Sequence, residues 1–250
     1  MSRVLRLAVT IGVVLLLWHA LVALTGLPRF LLPGPLPVAE RLWTDRDLLA
    51  EHAGITLLEI LLGLLLGVLL GGLAALSLAQ SGAARRWLLP LLVASQAIPV
   101  FALAPLLVLW LGYGLASKIA MATLIIFFPV MAAFYDGLRR TETGWLDLAS
   151  TMGASRLAIL RHVRLPAALP ALASGLRVAA AVAPIGAVVG EWVGSSAGLG
   201  YLMLHANGRM QTDLMFAALV VLAVMAVALH RLVDAGVRRL IPWQTETFND

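Results

Sequence analysis

The chain of 250 residues contains no cysteine and a single lysine, and only 12% of its residues are charged. Without cysteine there are no disulfides, no thiol nucleophile and no cysteine-ligated metal. The one lysine, Lys118, sits in Ala116-Ser117-Lys118-Ile119, with neither the glycine before it nor the hydroxyl residue after it that a phosphate-cradling loop requires. A conventional P-loop ATPase is thereby excluded. Histidine is equally sparse: five residues are scattered, with no i, i+4 pair beside a third ligand, so a zinc site is not expected. No grouping of Ser, His and Asp has a spacing that suggests a hydrolase. The chain is not expected to be an enzyme or to bind a cofactor.

What the chain has in abundance is apolar sequence. Hydrophobic residues make up 61% of it and the mean hydropathy is +0.96, so the bilayer must be its solvent. Six stretches reach the roughly 20 apolar residues that a spanning helix needs: about 5–24, 55–79, 88–111, 117–137, 175–194 and 212–234. The first is read as a retained span, because its apolar run is long for a signal peptide and 21–25 is a poor cleavage site. The expected fold is an all-α membrane protein of six transmembrane helices forming one domain over 1–250.

Arginine supplies the net charge of +5, and it lies mostly in short loops. With the N-terminus inside, 13 of the 18 cations face the cytoplasm and 5 (Arg29, Arg41, Arg46, Lys118 and Arg209) face outward. This bias favours cytoplasmic termini, and it reports orientation and contact with lipid rather than a nucleic-acid partner.

Several residues inside the spans stand out. Gly63, Gly67 and Gly71 form two overlapping small-xxx-small motifs, suited to close packing either within one bundle or along a dimer seam. The third span carries Pro90, Pro99 and Pro105 beside Gln96. It reads either as a kinked packing helix or as a transport-pathway helix with Gln96 and Pro99 in the pathway. Glu191, near the outer end of the fifth span and flanked by Gly190 and Gly194, is a third pathway candidate, with a structural hydrogen bond as its alternative. Glu59, near the outer start of the second span, is the weaker candidate of the same kind, with a position at the membrane interface as its alternative.

The longest cytoplasmic connection, 138–174, is the most informative segment. Two short helical stretches are expected to meet at Gly153, a residue suited to positive φ, while Pro166 and Pro170 act as helix breakers or first-turn residues at re-entry into the membrane. Such a hairpin suits docking onto another protein or lying at lipid headgroups. Its sequence runs Asp147-Leu148-Ala149, three residues, Gly153, nine residues, then Val163-Arg164-Leu165-Pro166. This resembles the signature of permease subunits of binding-protein-dependent ATP-binding-cassette (ABC) importers: Glu-Ala-Ala, three residues, Gly, nine residues, Ile-x-Leu-Pro. The spacing is identical. Asp147 replaces Glu, Leu148 replaces the middle Ala, and Val163 replaces Ile.

The resemblance implies a multi-pass protein of the bacterial cytoplasmic membrane that works as a homodimer. Its expected partners are an ABC ATPase subunit, which holds the ATP and Mg, and an extracytoplasmic substrate-binding protein docking around 25–54 and 195–211. It further implies that Asp147, Ala149 and Gly153 contact the ATPase, with Leu165 and Pro166 anchoring the hairpin to the fifth span. Leu32-Pro33-Gly34-Pro35, the run from Pro105-Leu106 to Trp110-Leu-Gly-Tyr-Gly114, and Glu191 followed by Gly198-Leu-Gly200 are similar to the nitrate, sulfonate and taurine branch. The stretch from Gly190 to Met203 looks most like permeases for pyrimidine precursors of thiamine. The implied substrate is such a precursor or, alternatively, a sulfonate, taurine or nitrate. An ion-driven secondary transporter is the competing reading; it predicts buried acids or discontinuous helices at mid-membrane in paired halves.

Overall fold

The computed structural model describes residues 3–243, and among them only helices and their connections occur. In hydrocarbon every backbone N–H and C=O must be paired, and an α-helix pairs them within one segment. In chain order the helices are α1 (Arg3–Thr25), α2 (Pro35–Thr44), α3 (Arg46–Gln80), α4 (Gly82–Ser95), a 3₁₀ turn (Val100–Leu103) leading into α5 (Ala104–Leu111), and α6 (Leu115–Arg139). There follow α7 (Thr143–Thr151), α8 (Arg156–Ile159), a π-helical turn (Leu160–Arg164), α9 (Leu165–Gly194), α10 (Leu199–Gly208) and α11 (Thr212–Leu240). Five uninterrupted helical stretches are long and apolar enough to cross a membrane, and there are six if the bent α4–α5 pair counts as one.

Two stretches depart from the expected spans for identifiable reasons. The sequence 88–111 reads as one span, yet α4 and the 3₁₀–α5 segment meet at 90°. Pro99 stands at the break with φ −58° and ψ 117°; it has no N–H to continue the ladder and it biases Ile98 away from helix. Conversely, Pro166 and Pro170 do not break the chain. Helix continues from Arg156 to Gly194, over 39 residues. The wider π turn directly before Pro166 moves the preceding carbonyls out of register, which lets a proline ring enter without ending the helix.

The chain divides into two compact units, each with its own packing. The first comprises the chain up to Thr56 and Ser196–Val224. Here the Trp18 indole N–H donates to the Pro33 carbonyl (3.0 Å) and its ring stacks on Phe216 at 5.9 Å. Arg29 pairs with Asp213 at 3.4 Å. The start of α10 is capped from α3: the Gly198 N–H donates to His52 Nδ1 (2.9 Å) and the Leu199 N–H to Thr56 Oγ1 (2.8 Å). These bonds satisfy donors that a helix N-terminus leaves free.

The second unit comprises Leu57–Ser195 and the chain from Met225 onward, and its centre is α6 packed on α9. Ala179, Ala180, Ala183 and Ala187 of α9 are fully enclosed with Ile126 and Val130 of α6 and Ile60 of α3. Small residues permit this closeness. A Cβ on Gly63 would stand 2.4 Å from that of Ala122, and one on Gly186 would stand 2.7 Å from the Ala122 Cα. Gly67 and Gly71 face Ile126, Phe127 and Val130 of α6 in the same way. The glycine ladder of α3 therefore packs within the bundle.

Gly186→Val should lower the unfolding midpoint in detergent markedly, the cost of overpacking being about 1–3 kcal/mol. Gly72→Val, where an added Cβ meets nothing within 4 Å, should leave it nearly unchanged.

Candidate functional site

The hairpin following α6 is built by local signals. Thr141, buried at the end of α6, returns its hydroxyl to the Leu138 carbonyl (3.2 Å). One residue on, Glu142 is the N-cap of α7. At the other end of α7, Gly153 has φ +77°, its N–H donating to the Ser150 carbonyl and the next N–H, of Ala154, to the Ala149 carbonyl, both at 3.0 Å. This left-handed turn ends α7 in the manner typical of glycine. Ser155 then caps α8, its hydroxyl accepting from the Ala158 N–H at 3.2 Å. A glycine whose φ requires it and a serine cap thus reverse the chain within a few residues.

Beside the turn lies a concave surface of about 470 Å³, lined by Trp145, Leu148, Ala149, Met152, Pro166 and Trp243 among others. Leu148 is 62% exposed and Met152 78%. Of the five residues expected at the coupling surface, Ala149 and Pro166 line this hollow. Asp147 is exposed on α7 and Gly153 is exposed at the tip. Leu165 turns inward, packing against the cluster of Leu78, Met131, Phe134, Leu138 and Ala168. The arrangement provides an apolar depression bordered by an acid on one helix and footed in the bundle by Leu165.

The three pathway candidates separate. Gln96 and Pro99 are exposed at the right-angle break, Gln96 closing α4 and Pro99 opening the 3₁₀ turn. Glu191 is instead enclosed, 1% exposed, and lies near Glu59. Glu59 is fully enclosed by the helices around it, and it forms an ion pair at 3.2 Å with Lys118, whose side chain is only 8% exposed. Lys118, assigned by sequence to the outer surface, is therefore interior. Three helices each contribute one ionisable residue to this cluster: α3, α6 and α9. Gly190 makes room for it, since a Cβ there would stand 3.1 Å from the Lys118 Cα. Individually these residues read as span-end charges. Each was expected inside its own span, and what no single segment shows is that the three come together.

A second interhelical pair binds α9 to α11: the Arg177 Nε–H donates to Asp234 at 2.7 Å, and Asp234 also accepts from Arg238 at 2.9 Å. Arg177 and Glu191 are 14 residues apart in sequence. Polar residues thus mark α9 near its middle, at Arg177, and near its C-terminal end, at Glu191.

Comparison with known proteins can be set against this geometry. The profile of the family described as "Binding-protein-dependent transport system inner membrane component" matches residues 63–244. The chain belongs to this family. A probable ABC transporter permease protein of Haemophilus influenzae is 58% identical over 96% of this chain and 98% of its own length. A riboflavin transport system permease protein of Chloroflexus aurantiacus is 42% identical over 96% and 90% respectively. A formylaminopyrimidine transport permease protein of Halalkalibacterium halodurans is 36% identical over 92% of both. Among solved structures, an inward-facing MetNI methionine ABC transporter aligns with a TM-score of 0.62 at 22% identity, over 80% of this chain and 98% of that one, which supports the fold. The protein is a multi-pass permease of an ABC transport system of the binding-protein-dependent family.

Lys118→Met would leave the buried Glu59 carboxylate without its cation, and breaking such a pair costs about 3–5 kcal/mol. A sharp loss of folded protein in detergent is expected, read by size-exclusion profile and unfolding midpoint. Arg139→Met, which breaks an exposed pair with Asp136, should change stability by less than about 1 kcal/mol.

Proposed function

We propose that this permease forms, as a homodimer, the path by which a small nitrogen heterocycle enters the cell, and that it is driven through its hairpin by a separate ATPase subunit. The observation that carries the reading is the hairpin itself. Its Asp-x-Ala, Gly and Leu-Pro positions keep the importer spacing, Gly153 adopts the left-handed turn, and the apolar hollow beside it has Ala149 and Pro166 in its wall. In this reading α7 enters a groove of the ATPase, with Asp147 and Ala149 on the contact face. Leu165 and Pro166 pass the displacement into α9 through continuous helix. Rigid-body movement of packed helices then converts nucleotide-driven closure into alternating access. ATP and Mg stay on the partner, since this chain offers no lysine in a phosphate-cradling loop.

Family membership supports an extracytoplasmic binding protein as the source of substrate. The choice of a nitrogen heterocycle is supported by two relatives above 35% identity whose names specify riboflavin and formylaminopyrimidine. A taurine permease of Escherichia coli stands at 32% identity and supports the sulfonate alternative less strongly. The distribution of arginines supports cytoplasmic termini. The exposed break at Gln96 and Pro99 is the part of the chain best suited to line a path, because irregular backbone at membrane depth persists where it faces protein or a water-lined cavity.

The test is co-purification of the tagged chain with its ATPase, followed by uptake in reconstituted vesicles. Asp147→Arg should abolish recovery of the ATPase, and Gly153→Val should abolish uptake, while both variants reach the membrane in normal amount. A β-branched residue is strained at φ +77° even though the space around Gly153 is open. Normal uptake by both variants would sink the coupling assignment. Uptake without any ATPase that collapses with the proton gradient would favour a secondary transporter.

A further inference from the structure

A second cavity, of about 450 Å³, also has residues of the π turn in its wall, and it shares no lining residue with the apolar hollow. Its walls are the end of α3 (Ala79 and Gln80) and α8 with the π turn, including Arg156, Leu160 and Arg164. Two guanidinium groups line it and no acid does. Neither arginine is paired with a carboxylate among the described residues. The Arg164 Nε is buried and has no hydrogen-bond acceptor there. A buried charged donor without an acceptor is costly enough to call for a missing partner. Two arginines in the wall of one concavity, with no acid beside them, suit a phosphate oxygen cluster above other anions.

The surroundings indicate where that phosphate comes from. The apolar run of α3 ends at Leu78, and α4 opens with Arg85, Arg86 and Trp87, the last 74% exposed. Tryptophan and arginine beside the end of an apolar helix mark the level of lipid headgroups. Basic pockets between helices at that level take anionic headgroups.

We infer that the cavity between the end of α3 and the π turn binds the phosphate of an anionic phospholipid through Arg156 and Arg164. The site stands where the hairpin joins α9, so an occupied pocket braces the π turn that links them. This bracing role rests on the proposed coupling function, whereas the binding itself does not.

The experiment uses the transporter purified with its partners, placed in phosphatidylcholine nanodiscs with increasing phosphatidylglycerol. Retained lipid is read by native mass spectrometry after release. The wild type should retain phosphatidylglycerol in preference to phosphatidylcholine. Retention should weaken by about tenfold or more in Arg164→Gln and Arg156→Gln, each of which removes charge-assisted bonds. Arg164→Lys keeps the charge and guards against misfolding, yet it lacks the planar fork and should also bind more weakly. Arg139→Gln should match the wild type. Equal retention in all variants, or no preference for the anionic lipid, overturns the inference. Binding of inorganic phosphate to delipidated protein with no lipid preference would keep the phosphate chemistry and overturn the lipid as its source. Loss of the ATPase from the arginine variants with lipid retention unchanged would reassign the arginines to a protein contact. If no ATPase co-purifies even with wild type, the coupling reading fails, while lipid retention by the permease alone still decides this one.

Discussion

Ala122 of α6 has Gly63 of α3 against its methyl group and Gly186 of α9 against its Cα, at distances no added Cβ could respect. This close backbone approach is the constraint on which the rest of the second unit depends. In lipid, apolar side chains gain little by leaving one another's neighbours, so helices hold together through contact and polar ties. Thin helix faces bring the backbones near. Nearness in turn lets Glu59, Lys118 and Glu191 meet from three helices with almost no exposure. Had α9 carried larger residues at 186 and 190, neither the alanine core nor the charge cluster could close.

The charge cluster then gives that core specificity of register. Apolar helices of alanine and glycine can slide by a turn at small cost, whereas a buried ammonium has one position in which its carboxylate is within reach. The tie between Arg177 and Asp234 does the same nearer the middle of α9. Between them the stretch of α9 from Arg177 to Glu191 is held, while the π turn before α9 and the right-angle break at Pro99 are places where the chain departs from regular helix. Regular, tied helix and irregular joints are what rigid-body movement requires of a bundle.

Much of this was readable in the sequence because its signals are local. Apolar runs of membrane length, the spacing around Gly153 and the glycine ladder each depend on residues near one another in the chain. What escaped was tertiary or depended on competition between rules. Lys118 stands by sequence at the outer end of the fourth apolar run, and only the fold shows Glu59 opposite it. Pro166 carries the usual sign of a helix end, but a π turn before it removes the clash that would enforce one. Pro99 obeys the same rule without such relief, and there the helix does break. Pro90, Pro129, Pro170 and Pro184 also lie inside helices, so proline alone does not decide where a helix ends.

The glycines of this chain serve two unlike requirements, and Gly153 shows the less familiar one. At Gly63 or Gly186 any atom beyond hydrogen collides, so selection there acts on size. At Gly153 nothing lies within 4 Å of where a Cβ would be, yet φ is +77°. The site admits bulk and refuses only one mirror form of it. A D-alanine would be at home at this tip while its L-enantiomer would not, so the tip of the hairpin is constrained by chirality alone.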